Sequence, residues 1–147
     1  MTNAYSRRNT AEQEHLRRVV DRLTDEQMTR SAGGERWTVA ALLGHIAFWD
    51  QRALVLMKRW KTGGVGTPAG DVDVINDAVK PFLLALPPRA AAKLAVEAAR
   101  EIDEEIDSLD ATMLASVEAN GQPKLDRASH RAHHLEQIEK AVGWGAP

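Results

Sequence analysis

His130 and His134 stand four residues apart in a segment with helical periodicity, a spacing that stacks two side chains on one face of an α-helix. Two imidazoles so placed can reach a single ion, as on zinc-binding helices. On a helical wheel they lie at the edge of the arc carrying Leu135, Ile138 and Val142, so they are expected to face an interior margin rather than solvent. His45 holds a comparable edge position near Leu42, Trp49 and Leu56 on an earlier segment. Helical bundles build metal sites from side chains on facing helices. Spacing alone leaves a second reading open, in which these are hydrogen-bonded core histidines with no ligand. His133 points away from the pair, toward solvent or a supporting position, and His15 lies off the first apolar stripe, on the surface.

The chain has no cysteine. That excludes disulfides, thiolate ligands and a cysteine nucleophile, and leaves His, Asp and Glu as ligand types. Asp50 falls inside an apolar arc between Ile46 and Leu54, and Arg127 and Arg131 sit among inner positions of the last helix. A buried charge needs a partner, so Asp50 is expected to pair with Arg131 or to hydrogen-bond a ligating imidazole. A purely structural ion pair is the alternative. Arg127, one turn before His130, either faces a pocket mouth and attracts an anionic substrate or snorkels to the surface. The acidic run Glu101, Asp103, Glu104, Glu105 and Asp107 fits a solvated helix face broken by Ile102 and Ile106. Glu101 and Glu105 lie nearest its edge, as candidates for a general base. The candidate catalytic residues are thus Asp50, Arg127 and Glu105.

The elements that must position these groups are helical throughout. Thr10 with Gln13 fits a capping box opening a first helix through Leu16, Val19, Val20 and Leu23, and Thr24 with Gln27 repeats the pattern where that helix breaks and restarts. Ser31–Gly34 is a loop. Thr38 caps a second helix from Val39 to about Trp60, with Trp37 stapled onto Leu42 and Val39, Leu42, Leu43, Ile46, Trp49, Ala53, Leu56, Met57 and Trp60 on one face. A glycine-rich connection follows, from Gly63 to Gly70. Asp71 to Leu86 is a short helical approach segment. Pro88 then suits the first turn of a third long helix ending near Leu109, with Ala91, Leu94, Ala95, Ala98, Ile102, Ile106 and Leu109 inward. Asn120, Gly121 and Pro123 close a second loop, and Asp126 caps a last helix that Gly143 stops near Val142. Period-two alternation is nowhere sustained. Four long amphipathic segments in one short chain predict an all-α fold, a four-helix bundle in a single domain over residues 1–147.

Composition narrows the functional classes. At 147 residues, 44% of them hydrophobic, the chain can enclose a real core. Nineteen Lys and Arg against twenty-one Asp and Glu give a formal charge of −2, without the positive field of a nucleic-acid binder. The apolar runs Ala53–Met57 and Phe82–Leu86 are too short to span a bilayer. The polar N-terminus carries no signal-like apolar region, so a cytoplasmic setting is expected. Trp60 and Trp144 either close the ends of the core or form the seam of a homodimer.

Two stretches together resemble a known family. Arg36–Trp37–Thr38–Val39, followed by Leu42–Leu43–Gly44–His45–Ile46–Ala47, fits a W-[ST]-x6-H helix, and His130 to Ile138 fits H-x-x-H-H-x-x-Q-I. In this order they resemble the DinB-like (YfiT-like) four-helix-bundle metalloenzymes, and the likeness spans nearly the whole chain. It implies His45, His130 and His134 as ligands of one divalent transition ion, with His133 outside the coordination sphere. All-imidazole ligation suits zinc or nickel, with iron or copper not excluded. The resemblance further implies a small-molecule substrate and either metal-dependent hydrolysis or thiol transfer. A thiol would come from outside the chain, as bacillithiol, mycothiol or glutathione. A non-catalytic metal- or ligand-binding bundle and a structural dimeric bundle are the alternatives. Ser129 stands where relatives often carry an aromatic residue, which alters the expected pocket lining. The second domain of the mycothiol-dependent maleylpyruvate isomerases is absent from this sequence.

Overall fold

An asparagine, two threonines and two aspartates start much of the architecture. Asn3 and Tyr5 open α1 (Ser6–Arg22), where the Asn3 side chain accepts from the Tyr5 amide and donates to the Ile106 carbonyl. Thr24 forms a reciprocal capping box with Gln27 at the start of α2 (Asp25–Met28). Thr38 accepts from the Ala41 amide to begin α3 (Val39–Gly63), and Asp71 accepts from two amides to begin α4 (Val72–Ala85). Pro88 occupies the first turn of α5 (Pro88–Asp107), where its missing N–H costs nothing. Asp110 caps α6 (Ala111–Asn120), and α7 (Ala128–Ala141) is the last described helix. The computed structural model describes residues 2–68 and 70–144. Among these there is no strand, only an isolated antiparallel bridge between Ser31 and Thr38.

The long helices α1, α3, α5 and α7 form the bundle. α3 lies along α5, α1 packs on both α5 and α7, and α3 also meets α7 and α4. Residues 39–47 of α3 are buried on every side, not on one arc, because α4 covers the face opposite the core. Gly44 permits that approach, since a Cβ there would lie 3.1 Å from Leu83 Cδ2. α3 is long and apolar enough to cross a membrane by length and composition, yet 67% of that apolar window is buried within the bundle.

Several expectations need correction. Thr10 caps nothing, because α1 begins a turn earlier and carries it mid-helix. Leu94 is 46% exposed, and the inward stripe of α5 runs instead through Ala92, Ala99 and Asp103. α6 occupies a stretch without an assigned element, although its Asp110 cap and left-handed Gly121 stop are both in the sequence. Trp60 is buried, and Trp144 packs against the core beneath the Arg22 guanidinium.

Candidate metal centre

α3 and α7 bring three imidazoles together. The His45 and His130 Nε2 atoms are 3.2 Å apart, and one donor nitrogen from each of His45, His130 and His134 lies within 4.8 Å of the others. Nitrogens bound to one tetrahedral ion at ~2.0–2.1 Å would be separated by about 3.3–3.4 Å. The first pair already has that spacing. Gln137, one turn along α7, places Oε1 2.7 Å from His134 Nδ1. The amide oxygen can only accept, so Nδ1 carries the proton and Nε2 keeps a lone pair for the centre.

The protonation states suit a cation site. Burial lowers His45 to about 4, with His134 and His133 adding repulsion. Burial also lowers His130 to about 2, reinforced by His134, His45, Arg127 and Arg131. His134 is lowered as well, chiefly by burial, against the opposing Gln137 hydrogen bond. The Nδ1 atoms of His45 and His130 are buried without a protein partner, so neither ring is offered an acceptor for a second proton there. Neutral imidazoles are what a divalent ion requires. By spacing, tautomer and charge, the three residues fit such an ion. His133 is exposed, lines the cavity beside the cluster and contacts the His134 ring, 4.9 Å between centroids.

The cluster borders a cavity of about 620 Å³. Trp37 and Trp49 flank His45 edge-on, at 5.7 and 6.5 Å between ring centroids. The Trp49 Nε1–H donates to Asn76 Oδ1 on α4 at 2.9 Å, tying that helix to the cavity wall. Ser129 lines the cavity with its hydroxyl turned to Asp126.

Behind the histidines lies a buried charged layer. Asp50 is fully buried and accepts from Arg127 Nε at 2.8 Å and Arg131 Nε at 3.0 Å. It therefore pairs with Arg131 and contacts no ligating imidazole. Arg131, fully buried, also donates to both Asp103 oxygens at 2.8 Å. Arg127 is 7% exposed, so it does not snorkel; its ion pair with Asp50 anchors it while it lines the cavity. Asn9 joins the layer from α1, its side-chain oxygen accepting from the Arg127 and Ala128 amides at 2.9 and 3.0 Å and so capping α7. Neither Asn9 nor Asp103 stands out by residue type. Asp103 could have been found from its position between Ala99 and Ile106 on the inward stripe.

Two other candidates lie elsewhere. Glu105 pairs with Lys61, sixteen residues beyond His45 on α3, or about 24 Å along the axis. Glu101 is half-exposed at a separate groove. His15 is half-buried, bridging Glu12 and Glu139.

An all-helical bundle with three histidines gathered from two facing helices defines the class. The chain belongs to the DinB superfamily, whose family model matches residues 8–138. No curated protein and no solved structure matches it significantly.

Proposed function

We propose that this protein is a metal-dependent enzyme acting on a small molecule, either a hydrolase or a thiol S-transferase. The observation that carries the reading is the convergence of three neutral imidazole donors on the wall of a substrate-sized cavity. Small-molecule sites commonly enclose about 300–1,000 Å³. Three protein donors leave a four-coordinate ion with an open position, as in catalytic rather than structural sites. The chemistry such an ion supplies is Lewis-acid activation, of water for hydrolysis or of a small thiol for transfer. The chain does the rest. His45, His130 and His134 hold the ion, and Gln137 fixes the His134 tautomer. Trp37, Trp49 and Leu42 give the substrate an apolar wall. With no cysteine in the sequence, a thiol nucleophile would enter as a co-substrate.

Elemental mass analysis of untagged protein tests this reading. Wild type is expected to carry about one equivalent of a divalent transition metal, and His134→Ala to lose it with unchanged helicity by circular dichroism. Wild type that takes up neither zinc nor nickel would overturn the proposal. Turnover of model esters or amides without thiol, against consumption of an electrophile only with added thiol, separates the two chemistries. Metal binding with neither activity would favour a non-catalytic binding protein.

A further inference from the structure

Arg127 combines features rarely found in one side chain. It is nearly buried, it is charged, and it borders the cavity that holds the histidine cluster. Its Nε is spent on Asp50 at 2.8 Å, and Nη1 reaches the Lys124 carbonyl at 3.4 Å. Nη2 meets no protein acceptor among the described residues and is not one of their buried orphan atoms. The accessible part of the guanidinium is therefore available to the cavity, while Asp50 holds the rest in place.

We infer that Arg127 is a specificity-determining residue that binds the carboxylate of a small monoanionic substrate, whose apolar body lies against Trp37 and Trp49. Three observations converge on this. The candidate ligands are all histidines, so the ligand set brings no carboxylate to repel an anion in the cavity. Arg127 is the N-cap of α7, three residues before His130, a rise of about 4.5 Å along the axis. A carboxylate held there sits a few bonds from an atom reacting at the histidines. The same wall carries Lys124 and Asp126, the latter paired with Arg8, and Asp50 already takes part of the Arg127 charge. With carboxylates and cations so nearly balanced, the wall suits a monoanion better than a dianion such as phosphate. A planar guanidinium with a fixed orientation recognises carboxylates directionally, as a lysine would not. The position of the reacting atom rests on the metal-enzyme reading above; carboxylate binding by Arg127 does not.

Phenylacetate and its neutral isostere phenylacetamide probe the idea, titrated by calorimetry into protein as purified and after chelator treatment. Wild type is expected to prefer phenylacetate by roughly tenfold or more in both forms, about 1.4 kcal/mol per decade. Arg127→Gln should erase the preference, and Arg127→Lys should restore only part of it. The Arg127 Nε–H resonance of the wild type, followed by NMR, should shift with phenylacetate and not with the amide, which keeps the test valid if a variant fails to fold. Equal binding of the two probes, or an unmoved Arg127 resonance, would overturn the inference. A preference confined to the metal-bearing form and surviving Arg127→Gln would place the anion on the ion and overturn it as well. Wild type that takes up neither zinc nor nickel yet still prefers phenylacetate through Arg127 would sink the metal reading and leave this one standing.

Discussion

His45 and His130 lose their water on folding and gain no protein acceptor at Nδ1, so the folded chain holds both rings neutral. The consequence for stability has a definite sign. In the unfolded chain each ring takes a proton near pH 6.5. In the folded metal-free protein His45 takes one only near 4 and His130 only near 2. Between these values the unfolded state binds more protons, so stability rises with pH. The contribution is complete above about 6.5 and is lost as the pH falls through 6 and 5 toward 4. Urea unfolding of the chelator-treated protein should therefore show a midpoint that drops across this window, with a shallower dependence in His45→Leu. A flat profile between pH 6.5 and 4.5 would mean that the rings stay hydrated. Sequence reading reached the histidines and the Asp50–Arg131 pair because each breaks an apolar arc with a residue that demands a partner. Asp103 escaped because four acidic neighbours from Glu101 to Asp107 made its stretch resemble a solvated face. Asn9 escaped because it precedes the expected start of the first helix.

At the scale of elements, α4 stands apart from its neighbours. Only Leu83 of its fourteen residues is buried, and Pro81 removes one amide hydrogen bond from its interior. Val72, Val74, Phe82 and Leu84 remain exposed. Its attachment to the bundle rests on the packing of Leu83 over Gly44, the Trp49–Asn76 hydrogen bond, and Lys80, which donates to the Glu35 carbonyl and lies over the Trp37 ring. Local opening follows low burial, so α4 should open well before the four bundle helices. Hydrogen exchange read by mass spectrometry is expected to show peptides from residues 72–85 exchanging first, with α3 and α5 the most protected. Asn76→Ala should accelerate exchange in α4 and raise the solvent exposure of Trp49 in its fluorescence. Protection of α4 equal to that of α3 would require a contact beyond those described. Local chemistry explains which boundaries were legible. Caps at Thr24, Thr38 and Asp71 and the proline at 88 act within one turn, so sequence reveals them. The start of α1 depends on Asn3 reaching Ile106 more than a hundred residues away, and no local pattern carries that.

Across the whole molecule, the apolar core is divided. One cluster joins Leu16, Leu43, Ile46, Ala95 and Leu135; the other joins Ala53, Met57, Ile102, Ile106 and Val117. Asp50, Asp103 and Arg131 fall between them, linking α3, α5 and α7, and Arg131 also donates to the Asn9 carbonyl of α1. Desolvating these charges opposes folding, and their mutual attraction offsets that cost only while every partner is present. Removing one partner should therefore be far worse than removing them all. Asp103→Leu alone is expected to cost about 3–5 kcal/mol, because Arg131 stays buried with two of its five hydrogen bonds gone. The triple change Asp50→Leu, Asp103→Leu and Arg131→Met should recover part of that loss in urea unfolding, although Arg127, nearly buried, then lacks its Asp50 partner. It should nevertheless bind metal more weakly, since the ion pairs join α3 to α7, the two helices that share the histidines. An apolar seam accepts small slips that a directional ion pair does not, and a shift of one ångström between these helices would spoil the 3.2 Å approach of His45 to His130. Unfolding and zinc titration on the same three proteins distinguish the possibilities. A triple variant as unstable as Asp103→Leu would make the layer a source of stability, and one with wild-type zinc affinity would show that apolar packing alone sets the register of the site.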